Sequence, residues 1–308
     1  NPNPNPNPNP NPNQAYEAAT AAIDATVSRE GDVARVLEGY AARAAAVREQ
    51  LAAAEAKVLQ TATFDESRRS LAHFSFDLEQ HDLVRTTAQV LRLGDDASID
   101  LSKLHDSLSP DRLHGPPPIC PALLCALARE RKLPRDWRFL AGHVKEHVAA
   151  FRRTQEYAAW LDCFRRFVRD VVLPVVGEGV AFQCPPTLRV QFPSARALGR
   201  RHRDDEYGGH QGCEINFWMP LTPVAGANTL HVESYPGSGD FRPVELDPGQ
   251  LLRFNGSECE HYTVANSTDA TRVSLDFRVI PLSLWRDEFG GRIGSYPCET
   301  MGGGAVSN

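Results

Sequence analysis

No stretch of this chain approaches the ~18 consecutive apolar residues of a membrane-spanning helix, and its first residues carry no charged-then-apolar leader pattern. A membrane role is therefore not expected. Nor is there a C-x-x-C pair among the seven cysteines, which run from Cys120 to Cys298 and are odd in number. That argues against a disulfide framework and a structural zinc site, and fits a reducing compartment such as the cytoplasm. The chain does not open on Met, so organelle targeting stays an open alternative. Long blocks of Lys and Arg are also lacking, and the formal net charge is −6, which removes the electrostatic footprint of a nucleic-acid or anionic-membrane binder. A small-molecule substrate is the expected partner.

What is present is 308 residues with 42% apolar content, enough for a sizeable core. Four segments differ in texture. Residues 1–13 are an Asn-Pro repeat with nothing to bury, read as disordered. Residues 14–178 are rich in Ala, Glu, Arg and Leu and read as a helical region, with helices expected over about 64–93, 121–132 and 136–175. Within it Leu37, Tyr40, Ala44, Val47, Leu51, Ala54 and Val58 alternate at spacings of three and four. Such a seam makes either a homodimerising coiled coil or a helix packed in an antiparallel pair. Residues 179–285 change to short apolar or alternating runs between Gly, Pro, Asn and Asp, and 286–308 read as a C-terminal tail.

Candidate strands in the third segment are 187–192, 213–221, 228–234, 241–246, 250–254, 261–265 and 271–280. That many short strands, with turns every eight to twelve residues or so, indicate a β-sandwich or barrel. The fold class expected is α+β: a jelly-roll barrel, the double-stranded β-helix, preceded by a mostly helical N-terminal half.

Three metal-like constellations occur. His143, Glu146 and His147 have the H-x-x-E-H spacing of one zinc-peptidase class, but the stretch reads as a solvated, charged helix face. H-x-D/E occurs twice, at His202/Asp204 and His231/Glu233. On a strand, residues i and i+2 share a face, so either pair can offer an imidazole and a carboxylate to one ion. In a double-stranded β-helix a third ligand stands four strands later, roughly 35–60 residues on. Asp204 lies 57 residues before His261 and Glu233 only 28. The arithmetic selects His202, Asp204 and His261 as a two-His-one-carboxylate set suited to Fe(II), and leaves His231 as an ordinary strand residue.

Eleven residues after His261 comes Arg272, with Ser274 two further on. On that strand Arg272, Ser274, Asp276 and Arg278 alternate with Val273, Leu275, Phe277 and Val279, so one face is wholly polar. An Arg there can pair a carboxylate bidentately. H-x-D, the distal His and R-x-S, in that order and spacing, resemble the Fe(II)/2-oxoglutarate-dependent dioxygenases of phytanoyl-CoA-hydroxylase-like type, from about residue 180 to 281. The wider texture is similar to a group that includes an oxygenase of streptomycin-type biosynthesis. The resemblance implies Fe(II) on His202, Asp204 and His261, with Arg272 and Ser274 holding the 2-oxoglutarate co-substrate. It implies O2 as second co-substrate and hydroxylation of a polar small molecule with release of succinate and CO2.

Gln191 and Asn228, on or beside strands lining the barrel mouth, are further candidates for the co-substrate. For the substrate the candidates are Glu206, Tyr207, His210, Glu214, Asn216, Trp218 and Asp276. Glu214, Asn216 and Trp218 are placed facing the barrel interior by strand alternation, and the carboxylates of Glu206, Glu214 and Asp276 hint at a cationic or polyhydroxylated molecule. Two other classes stay open: a cupin-like metal enzyme that does not use 2-oxoglutarate, and a non-catalytic interaction module whose working part is the heptad helix.

Overall fold

A computed structural model of the chain describes residues 38–49, 70–91, 100–107, 119–130, 144–286 and 290–302. Two units are distinguished, residues 1–60 and 61–308. In the first, residues 38–49 form a helix with every residue exposed, including Tyr40, Ala44 and Val47. The other seam positions, Leu37, Leu51, Ala54 and Val58, and the Asn-Pro repeat lie outside the described residues.

The second unit carries the sheets. Its strands are β1 (Ala72–Ser75), β2 (Val180–Gln183), β3 (Thr187–Gln191), β4 (Ile215–Pro220), β5 (Leu230–Val232), β6 (Arg242–Pro243), β7 (Gln250–Phe254), β8 (His261–Thr263), β9 (Arg272–Pro281), β10 (Arg292–Ile293) and β11 (Tyr296–Met301). Eight of them form a sheet in the order β1-β7-β4-β9-β2-β11-β10, with β3 also on β9, and β6-β5-β8 form a second sheet. Bridges Ala197↔Ala265, His202↔His261 and Val224↔Leu246 carry chain between the named strands. All pairings are antiparallel. These are the two sheets of a double-stranded β-helix.

Strand alternation explains the layers. On β9, Val273, Leu275, Phe277 and Val279 join Ile215, Phe217 and Met219 of β4 in one apolar cluster with helix residues. The helices behind it include α1 (Leu83–Val90), α2 (Pro121–Arg129), α3 (Val144–Phe151) and α4 (Gln155–Phe167). Thr154 caps α4, its hydroxyl accepting from Tyr157 N at 3.3 Å, and Tyr157, Trp160, Cys163, Phe164 and Phe167 are its buried stripe. The other face of the large sheet contributes Trp218, Leu252 and Phe254 to a second cluster with Leu230 and Val232 of the small sheet. Between the two sheets lies the polar face of β9.

Phe277 links the layers, stacked on Phe217 at 5.4 Å and edge-on to Phe164 at 5.0 Å. It is 1% exposed. Phe277→Ala is expected to cost about 3–5 kcal/mol, read as a fall in the urea midpoint.

Three expectations are corrected. The helix expected over 64–93 contains β1, an edge strand paired with β7, before α1 begins at Leu83. In so short a stretch Leu71, Phe74 and Leu78 read equally as a helical stripe, and the strand is decided by the free edge of β7. The expected C-terminal tail supplies β10 and β11, and β11 pairs with β2, Cys298 opposite Gln183. Pro297 cannot donate to this ladder, but its carbonyl accepts from Cys184 N at 3.0 Å. His147 is not on a solvated face: it is buried, with Nε2 2.7 Å from Ile119 O, while His143 lies outside the described residues. No helix among the described residues is long and apolar enough to cross a membrane.

Candidate metal centre

His202 and His261 face one another across an antiparallel bridge, each backbone N–H donating to the other's carbonyl at 3.0–3.2 Å. Their ring centroids are 4.4 Å apart. Asp204 opens the one-turn 3-10 helix Asp204–Glu206 just beyond His202, and its N–H donates to Gly256 O at 2.8 Å. Its Oδ1 then stands 3.7 Å from each histidine Nε2. One donor atom from each residue lies within 4.8 Å of the others, and no second such group occurs among the described residues.

The hydrogen bonds behind these atoms decide which are available. Nδ1 of His202 lies 2.7 Å from Arg200 O, and Nδ1 of His261 lies 3.1 Å from Cys259 O. A carbonyl can only accept, so each Nδ1 carries a proton, and in the neutral ring this leaves the Nε2 lone pair aimed at the shared space. For His261, burial lowers the pKa against the raising effect of Asp204, which favours this neutral form. Asp204 is 2% exposed. Burial acts to raise its pKa, but Arg278, His261 and the Asn216 amide outweigh it and hold the carboxyl below the usual range. Two neutral imidazoles and one carboxylate around an accessible space are what a divalent cation requires.

The same cavity is lined by Arg272, Asp276 and Arg278 of β9 and by Asn216, Trp218, Leu230, Phe254 and Thr263. Arg272 is 1% exposed. Its Nε and the Ser274 hydroxyl are buried without a hydrogen-bond partner, and its Nη1 reaches only Asn228 O, at 3.4 Å. Burial, and Arg189 next, push its pKa down to about 9. A guanidinium with an open donor beside the His-Asp-His set is chemically suited to pairing a carboxylate.

The remaining candidates are placed variously. Gln191 is in register with Arg272, with its Nε2 on Val264 O at 3.0 Å and its Oε1 buried without a partner. Asn228 meets Arg272 only through its carbonyl; its amide is turned back, accepting from Ala225 N at 2.8 Å, because it closes the Gly226–Asn228 turn. Asn216 and Trp218 do line the cavity, Trp218 as an apolar wall. Glu214 is fully buried, bonded to His210 Nδ1 at 2.8 Å and Gln211 N at 2.7 Å. Asp276 is held by Arg189 and Arg278, and Glu206 by Arg200 and Arg203 N. Each carboxylate taken as a hint of a cationic substrate is thus engaged within the chain. Tyr207, 44% exposed, sets its ring edge-on to His202 at 5.4 Å. The second H-x-E pair is a loop brace: Glu233 accepts from Gly237, Gly239 and Glu260 N–H, and His231 stacks on Tyr262.

Two antiparallel sheets, H-x-D at the mouth, the distal His on β8 and R-x-S on the last barrel strand decide the fold. It resembles the double-stranded β-helix of the Fe(II)/2-oxoglutarate-dependent oxygenases. No family model matches the chain. Over 128 residues it is 39% identical to the streptomycin biosynthesis protein StrG of Streptomyces griseus, a stretch that is 41% of this chain. The chain thus spans 60% of the length of that relative. Among solved structures, the non-heme monooxygenase ThoJ in complex with nickel is 17% identical, with a TM-score of 0.39 over 71% of this chain and 77% of that one. A prolyl-4-hydroxylase of Pseudomonas putida is 14% identical, with a TM-score of 0.36 over 72% and 94%.

Proposed function

We propose that the protein is an Fe(II)- and 2-oxoglutarate-dependent oxygenase that hydroxylates a polar small molecule. The observation carrying this reading is Arg272, a buried cation whose Nε lacks a partner, in the cavity that His202 and His261 of the His-Asp-His set also line. A metal enzyme without a dicarboxylate co-substrate has no use for such a group, whose burial unpaired is costly.

His202 Nε2, Asp204 Oδ1 and His261 Nε2 would hold the iron, and Arg272 with Ser274 would take the far carboxylate of 2-oxoglutarate. When bound, iron couples decarboxylation of 2-oxoglutarate, yielding succinate and CO2, to insertion of one oxygen atom of O2 into a substrate C–H bond. The chain's own part is to orient and to shield. The carbonyls of Arg200 and Cys259 fix the imidazole tautomers, and Trp218, Leu230 and Phe254 give the cavity an apolar wall that excludes water. Tyr207, beside His202 and half-exposed, is placed to meet a substrate.

Anaerobic addition of Fe(II) and then 2-oxoglutarate to the apo protein is expected to produce the visible metal-to-ligand charge-transfer band of the chelate. Folded protein that binds Fe(II) but gives no band refutes the co-substrate and leaves the cupin-like reading. Failure to bind Fe(II) at all favours the interaction module.

A further inference from the structure

We propose that Arg278 is a positioning residue for the metal centre: with Asn216 it clamps one oxygen of Asp204 and so reserves the other for the ion. The proposal rests on the reading of His202, Asp204 and His261 as metal ligands. A carboxylate free to turn about its last bond can offer a metal either oxygen or both. Here Oδ2 accepts hydrogen bonds from Asn216 Nδ2 at 2.7 Å and Arg278 Nε at 3.0 Å, with Arg278 Nη2 in ion-pair contact at 2.9 Å. Oδ1 is left at 3.7 Å from both histidine Nε2 atoms.

The clamp is itself held. Asn216 and Arg278 are cross-strand partners on β4 and β9. Asn216 Oδ1 accepts from Gly256 N at 3.0 Å, and Gly256 O accepts from Asp204 N, which closes a ring of three residues. Because a backbone N–H can only donate, the amide oxygen must face Gly256 and the NH2 must face Asp204. A Cβ at position 256 would lie 2.5 Å from Asn216 Nδ2, so the ring needs glycine there. On the other side, Arg278 Nη1 meets Gln183 Oε1 at 3.2 Å and Asp276 Oδ2 at 3.4 Å. Asp276 is in turn gripped by Arg189 through two bonds, of 2.5 and 3.1 Å. The fork of Arg278 is thereby spread so that one edge points at Asp276 and the other at Asp204. Asn216 and Asp276, substrate candidates from sequence, face the metal carboxylate through this network.

Three roles for Arg278 predict different things. A purely structural ion pair predicts lower stability with unchanged metal affinity in whatever folds. A purely electrostatic effect predicts tighter metal binding once the cation is removed, since Arg278 draws charge from Asp204 and repels the ion. Positioning predicts weaker binding despite the lost repulsion, with partial rescue by a residue that keeps one donor. The test is titration of the apo protein with Co(II), following its visible d–d absorption, in wild type, Arg278→Met, Arg278→Lys and Asn216→Ala, with urea unfolding of each apo protein alongside.

Arg278→Met and Asn216→Ala are expected to bind Co(II) about 10- to 100-fold more weakly, with Arg278→Lys in between. Affinities within about twofold of wild type, or tighter binding in Arg278→Met, would overturn the clamp while leaving the metal site standing. If Arg278→Met does not fold, Arg278→Lys and Asn216→Ala carry the same comparison. Wild-type protein that binds no Co(II) overturns the ligand assignment, and the clamp with it.

Discussion

Arg272→Met is expected to raise the 2-oxoglutarate concentration for half-saturation by about 30-fold or more, with the apo protein at least as stable as wild type. Both parts follow from one feature, a guanidinium 1% exposed with its Nε unpartnered. Removing one member of a buried, hydrogen-bonded charge pair costs about 2–5 kcal/mol, and in the complex Arg272 would be one half of such a pair. In the apo state there is no carboxylate to lose. Burial pushes the pKa of Arg272 well below the ordinary guanidinium value, to about 9, so the folded state disfavours the charge. With the folded value below the unfolded one, this penalty is fully present below pH 9 and is relieved as the pH rises between the two values. At pH 7–8 an apolar side chain of similar volume removes it.

The measurements are the charge-transfer titration and a thermal melt. In wild type 2-oxoglutarate should raise the melting temperature, because it binds only the folded state; in Arg272→Met that shift should vanish. Arg272→Lys should bind intermediately, since an ammonium keeps the charge but loses the fork. Unchanged half-saturation in Arg272→Met would remove the basis of the co-substrate assignment.

Period and spacing made these residues visible in the sequence. The alternation along β9 separates Arg272, Ser274, Asp276 and Arg278 from the apolar residues of the helix-facing cluster, and a strand allows no other division. The 57 residues between Asp204 and His261 selected the distal histidine because four crossings of a barrel consume about that much chain. What was not visible depends on contacts between distant segments. Asp204, Asn216 and Gly256 close their ring across 52 residues of chain, and nothing local to Asn216 distinguishes a clamp from a substrate contact. Asn228 shows the opposite: it lies beside Arg272, but a local turn claims its amide oxygen. Edge strands such as β1 and β11 are the hardest to read, since what makes them strands is a partner's unpaired edge.

Asp204 separates the two things this site must do, to hold a metal and to hold itself together, and two substitutions divide them. Asp204→Ala removes Oδ1 from the two imidazoles and Oδ2 from the Asn216 amide and the Arg278 guanidinium at once. Arg278, with its side chain 7% exposed, then keeps the longer contacts to Asp276 and Gln183 and the face of Tyr296. Breaking a buried pair by removing one partner costs about 3–5 kcal/mol, so Asp204→Ala should lose metal binding and shift the urea midpoint together. Asp204→Asn should divide the effects. Its amide oxygen can take the place of Oδ2 and accept from Asn216 and Arg278, which turns the NH2 toward His202 and His261. An amide NH2 has no lone pair for a cation, so Co(II) and Fe(II) binding should be lost with a much smaller fall in stability. His202→Ala offers the control, because His202 is more exposed, its side chain at 18%, and supports no buried cation; it should lose metal with a modest stability cost. Should Asp204→Asn bind Co(II) within tenfold of wild type, Oδ1 is not the metal-directed oxygen and the site must be rebuilt around the other one.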